Sequence, residues 1–183
     1  MKYHFEIFCK TILKTMGILI DLDQTLINSQ TAEKFRRNRQ WSDVYRMIPQ
    51  LQPYPNISKL LQELKDIGVP ICIVTSSPRP YCEKVIKYYG WKIDATICYH
   101  DTKKHKPHAE PIQKGLASLK ILPATAVAIG DAAKDTQAAK SAGVLSIGAI
   151  WGSLEKSLLR NSKPDIICET VEDLREFLLL KYS

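Results

Sequence analysis

Residues 17–29 read GILIDLDQTLINS. A short apolar run, Ile18, Leu19 and Ile20, leads straight into Asp21, with Asp23 two positions on and Thr25 two beyond that. Such a run suits a strand buried on both faces of a sheet. Carboxylates do not suit that environment, because burying an unpaired charge is costly. The two aspartates therefore mark the point where a buried strand leaves the core. In open parallel sheets this carboxyl end is where ligands bind.

Working outward, further apolar runs follow at 69–75 (VPICIVT), 96–99 (TICY), 126–130 (AVAIG), 144–150 (VLSIGAI) and 165–168 (DIIC). Helical patterns lie between them. Ile57, Leu60, Leu61, Leu64 and Ile67 keep the 3.6-residue period, with Asn56 as N-cap and Gly68 as stop. Residues 80–89, a segment marked by Ile112, Leu116 and Leu119, residues 132–142 and residues 171–180 supply the other helices. Strands alternating with helices predict an α/β fold with a mostly parallel sheet covered on both faces. At 183 residues the chain is read as one domain, 1–183. Residues 1–16, either a short extra element or an N-terminal extension upstream of Met16, sit outside the alternation. Residues 29–52 interrupt it: Trp41, Val44, Tyr45 and Ile48 recur at helical spacing, and the segment has room for two short helices.

Composition narrows the class. Apolar residues make up 45% and charged residues 25%, as in ordinary globular proteins. No apolar run is long enough to span a membrane, and residues 1–16, with Glu6 and Lys10, make a poor secretory signal. Five scattered cysteines without a CxxC suit buried free thiols and a cytoplasmic location. The net charge of +7 favours anionic partners by long-range steering without itself indicating nucleic acid.

The chemistry gathers where the strands end. Asp21, Asp23 and Thr25 follow the first strand, Thr75 and Ser76 the second, and Asp131 and Asp135 (GDAAKD) the AVAIG run. Lys106 (KHKPHAEP) precedes the helix of Ile112. Carboxylates, one lysine and small hydroxyls suit Mg²⁺ and a phosphoryl group, since magnesium takes carboxylate oxygens and completes its shell with water and phosphate. Without a cation the carboxylates would repel one another and an anionic substrate.

DLDQT, VTSS, HKPHAEP and GDAAKD, in this order and at strand ends, resemble the four motifs of the haloacid dehalogenase-like (HAD) hydrolase superfamily. The resemblance runs from Gly17 to about Trp151 and implies a Rossmann-like three-layer α/β/α sandwich. It implies a phosphatase of phosphate monoesters, with Asp21 as nucleophile forming an aspartyl-phosphate and Asp23 as general acid and base. Asp21, the Asp23 carbonyl and Asp131 would hold Mg²⁺, and Asp135 would be a further ligand or orient Lys106. Thr75, the Ser76 amide and Lys106 would bind the phosphoryl oxygens. Gln24 departs from the pattern, since glycine is frequent there.

Other readings compete. Arg36, Arg37 and Arg39 in EKFRRNRQW are either a solvated face or a specificity patch for an anionic substrate group. Cys98, His100, His105 and His108 carry metal-ligand chemistry, but their spacing matches no zinc motif. A receiver-like phospho-accepting module and an inactive HAD scaffold used for binding are the rival functions; a receiver has no use for Asp23. The insert at 29–52 is too small for an enclosing lid, which predicts an open cleft. Such a cleft would be covered by a large substrate, nucleic acid entering only as a phosphorylated one, or by a second subunit of a homo-oligomer.

Overall fold

The apolar runs become six strands because each is short, uncharged and bounded by turn residues. The computed structural model describes residues 16–182; Cys9 and most of the N-terminal extension lie outside them. The strands are β1 (Gly17–Ile20), β2 (Ile71–Val74), β3 (Ala95–Ile97), β4 (Ala126–Gly130), β5 (Leu145–Ala149) and β6 (Ile166–Cys168). They form one parallel sheet in the order β3-β2-β1-β4-β5-β6. Crossovers run outward in both directions from the adjacent β1 and β4, so the chain reverses there and a crevice opens at their carboxyl ends.

Eight α-helices accompany the sheet among the described residues: α1 (Glu33–Arg37), α2 (Trp41–Met47), α3 (Ile57–Asp66), α4 (Arg79–Tyr89), α5 (Glu110–Leu119), α6 (Ala133–Ser141), α7 (Lys156–Asn161) and α8 (Val171–Tyr182). Alternate strand residues feed opposite faces. Ile18, Ile20, Ile71, Ile73, Val127 and Ile129 pack with α3, α4 and α8. Leu19, Cys72, Val74 and Ala128 pack with α5 and α6. This is the three-layer α/β/α sandwich. On the second face Gly115 lets α5 lie close to the sheet, because a Cβ there would run into the Leu19 side chain.

Three local details differ from the expectations. Asn56 precedes α3 but makes no side-chain cap bond; it takes a left-handed conformation (φ 68), which asparagine tolerates. Val69 and Pro70 lie outside β2, so that strand is shorter than its apolar run. Helix α7, with Leu159 its one buried residue, is too short to show periodicity. The insert folds as α1 and α2 with short 3₁₀ turns on either side. Cys72, Cys82, Cys98 and Cys168 are free and buried, and burial pushes the Cys72 thiol up to about 12 and the Cys168 thiol up to about 11. No described helix is long and apolar enough to cross a membrane.

Candidate active site

A tight turn after β1 aims its polar residues at the crevice. The Asp21 amide donates to the Ile129 carbonyl of β4 (2.9 Å), so Asp21 leaves the sheet beside that strand. Gln24 then takes φ 64, and its amide donates to the Ile27 carbonyl at 2.8 Å. Glycine would adopt that conformation freely; glutamine is held there by its surroundings. Its side-chain Oε1 accepts from Tyr54 Oη at 2.7 Å. Gly152 lies so close beneath that a Cβ would collide with the Gln24 carbonyl. Trp151 Nε1 donates to the Thr25 carbonyl at 3.0 Å. The turn is therefore braced by the segment that follows β5.

Three carboxylates converge above it. Asp21, Asp131 at the end of β4 and Asp135 in the first turn of α6 place oxygens within 4.8 Å of one another. Asp135 divides its two oxygens: Oδ2 accepts from the Ala132 amide at 3.1 Å, and Oδ1 lies 2.6 Å from Lys106 Nζ. Lys106 Nζ also donates to Asp21 Oδ1 (2.8 Å) and to the Val74 carbonyl (2.6 Å). Thr25 Oγ1 donates to Asp131 Oδ1 at 3.1 Å.

The balance of charge in this cluster is one-sided. Burial opposes the charge of Lys106, but Asp135 and Asp21 outweigh it and hold the ammonium firmly protonated. Burial pushes Asp21 up to about 6 despite Lys106. Burial, then the neighbouring Asp21 and Asp135 charges, pushes Asp131 up to about 8. Three carboxylates share a single buried lysine, and the positive charge they lack is what a divalent cation supplies. An all-oxygen carboxylate set suits a hard ion such as magnesium.

Asp23 stands apart from this cluster and is held by three donors. Ser77 Oγ donates to its Oδ2 at 2.7 Å and Tyr81 Oη to its Oδ1 at 2.8 Å. Arg36 Nη2, from the insert, lies 2.6 Å from Oδ2. The sequence motifs mark neither Ser77 nor Tyr81 as a site residue. Ser77 sits inside VTSS beside two better-recognised hydroxyls, and Tyr81 reads as a core aromatic on a helix; no local signal announces that their hydroxyls reach Asp23.

The other expected residues fall as follows. Thr75 is buried at the end of β2 and lines the cleft; its Oγ1 accepts from the Ser77 amide at 3.1 Å. Ser76 is exposed at the lip of the same cleft. Arg36 and Arg37 line it too, Arg37 largely exposed and paired with Glu33. Arg39 is not brought there: α1 ends at Arg37, and Arg39 lies beyond it, exposed, at φ 57 and outside the cleft lining. Trp41, Lys134, Leu154 and Glu155 complete a cleft of about 450 Å³. Cys98, His100, His105 and His108 bring no set of ligand atoms together; among the described residues the aspartate trio is the one such grouping. His105 instead stacks on Tyr99, with ring centroids 4.0 Å apart.

The family model described as haloacid dehalogenase-like hydrolase matches residues 30–149. A protein of Caldanaerobacter subterraneus whose name, PpaX, assigns it a pyrophosphatase activity by inference is 31% identical over 143 residues, covering 77% of this chain and 63% of the relative. Phosphoglycolate phosphatase of Escherichia coli K12 is 29% identical over 136 residues, covering 71% of this chain and 52% of the relative. The chain thus spans between about half and two-thirds of the length of these relatives. A crystal structure from Lactobacillus plantarum, assigned by inference as a phosphoglycolate phosphatase, superposes with a TM-score of 0.78 at 24% identity, over 88% of this chain and 99% of that one. At that identity the likeness speaks for the fold.

Proposed function

This chain belongs to the haloacid dehalogenase-like hydrolases, and from that premise we propose that it is a Mg²⁺-dependent phosphatase that cleaves a phosphate monoester through an aspartyl-phosphate on Asp21. The observation that carries the reading is the meeting of Asp21, Asp131, Asp135 and Lys106 at the carboxyl ends of β1 and β4.

Asp21 attacks phosphorus through a carboxylate oxygen, forming the aspartyl–phosphorus bond as the ester oxygen leaves. Asp23 donates a proton to that oxygen, then takes one from the water that attacks the aspartyl-phosphate. The second step returns the Asp21 carboxylate and releases inorganic phosphate. The Thr75 hydroxyl, the Ser76 amide and Lys106 bind the phosphoryl oxygens where charge builds up. Asp21, Asp131 and the Asp23 carbonyl would hold Mg²⁺, which when bound neutralises charge on the transferring group. The contact between Asp135 and Lys106 supports an orienting role for this aspartate. Arg36 and Arg37 line the cleft, paired with Asp23 and Glu33, where a second anionic group on the substrate could take either guanidinium as its partner. The small insert leaves covering of the cleft to the substrate itself or to a second copy of the chain.

Metal removal tests the reading. Chelation with EDTA stops phosphate release, and added Mg²⁺ restores it. At magnesium concentrations about 100-fold above Kd, the metal raises Tm by roughly 5–10 °C, from ~2.7 kcal/mol of linkage. Asp131→Asn loses that rise. Full-rate hydrolysis by the metal-free protein would show that the carboxylate cluster serves another purpose.

A further inference from the structure

We propose that Arg36 is a latch on Asp23, released by an anionic group on the substrate itself. The proposal rests on the phosphatase reading and names what controls its acid–base residue. Both Asp23 oxygens are occupied in the resting site: Oδ1 by Tyr81 Oη, and Oδ2 by Ser77 Oγ and Arg36 Nη2. Oδ2 has two lone-pair directions, and with Ser77 Oγ on one and Arg36 Nη2 on the other it has none left for the oxygen of a leaving alcohol. Tyr81 and Ser77 belong to the core or its edge and are fixed by packing. Arg36 belongs to α1, a helix of five residues, too short to be stable by itself and held by what its side chains touch.

The contacts of Arg36 favour exchange. Its guanidinium lies 5.8 Å from the Tyr81 ring centre and donates to Ser29 Oγ (3.0 Å) and Ser77 Oγ (3.2 Å). Its Nε is buried with no acceptor, so the resting arrangement leaves one donor unpaired. Arg36 lines the cleft beside the exposed Arg37. A carboxylate or phosphate on the substrate offers the guanidinium an equivalent partner, so Arg36 stays ion-paired while one acceptor direction on Asp23 Oδ2 opens toward the leaving group. A substrate with an uncharged body offers none, and Asp23 stays held. Arg36 is thus a positioning residue that favours bifunctional anions by raising kcat, beyond any effect on binding.

The test compares ω-carboxyalkyl phosphates of two to four carbons with alkyl phosphates of the same length, on the Mg²⁺-loaded wild type. Both have poor leaving groups that need a proton. The wild type turns over the best carboxylated ester with a kcat at least tenfold above its alkyl partner, and acetate added in trans speeds the alkyl ester. Arg36→Met brings the two kcat values within about threefold, mainly by raising that of the alkyl ester, and Arg36→Lys falls between. Equal kcat values in the wild type would overturn the latch without any variant being needed. A parallel fall in both values for a folded Arg36→Met would assign Arg36 a purely structural role. Absence of phosphate release from every ester in the wild type would instead overturn the phosphatase reading, and the latch with it.

Discussion

Asp21→Asn lowers phosphate release by at least ~10³-fold and leaves the fold intact, a loss of about 4 kcal/mol of transition-state stabilisation. The carboxamide is close to isosteric and cannot form the aspartyl-phosphate. The substitution is also gentle on the fold, because it removes one of three crowded carboxylates. Lys106 keeps Asp135 and the Val74 carbonyl as partners. Burial and its carboxylate neighbours already push Asp21 up to about 6, so the uncharged side chain suits the metal-free site. Phosphate release on a panel of monoesters, read beside circular dichroism and Tm, checks both halves. An Asp21→Asn variant that retains its rate would mean that another residue attacks phosphorus.

Lys106→Met is expected to damage both fold and activity. The Lys106 side chain is 4% exposed and pairs with Asp21 and Asp135 at 2.8 and 2.6 Å. Methionine fills much of the same volume but leaves the carboxylates without their one buried cation. Removing one partner of a buried ion pair costs about 3–5 kcal/mol, which in a domain of this size lowers Tm by roughly 10 °C. Magnesium recovers part of that loss, because it supplies positive charge to the same oxygens. Activity stays low even with metal, since the phosphoryl group loses one of its donors. Calorimetry with and without Mg²⁺ checks the first statement, and kcat at saturating metal the second. A variant as stable as the wild type without metal would mean that the aspartates do not depend on this lysine.

The succession of strands along the chain and the edge that carries the site are readable because they follow from few rules. Fully buried parallel strands are uninterrupted apolar runs, and residues just past them must stand at one rim. Asp21, Lys106, Asp131 and Asp135 sit at that rim for this reason, in motifs whose order matched the family. The surroundings of Asp23 were not readable. Ser77 and Tyr81 reach it across 54 and 58 residues of chain, and such pairings depend on side-chain direction rather than on local pattern. The three arginines of the insert looked like one patch because they are close in sequence. The end of α1 at Arg37 separates them: Arg36 turns inward to Asp23, Arg37 stays at the rim and Arg39 lies outside it. Asn56 satisfied the composition of an N-cap, yet at that turn its tolerance of positive φ is what the chain uses.

The four buried thiols among the described residues make the molecule its own reporter of unfolding. Cys72 lies in the sheet, Cys82 on α4, Cys98 just past β3 and Cys168 at the end of β6. A thiol with a pKa near 12, such as that of Cys72, is almost never a thiolate at neutral pH. Alkylation of Cys72 therefore waits for the sheet to open, and the pace at which mass is added there counts openings of the central layer. Peptide-level mass spectrometry, comparing Cys168 with Cys72, then distinguishes fraying of the β6 edge from rupture between β1 and β2 without any residue being substituted.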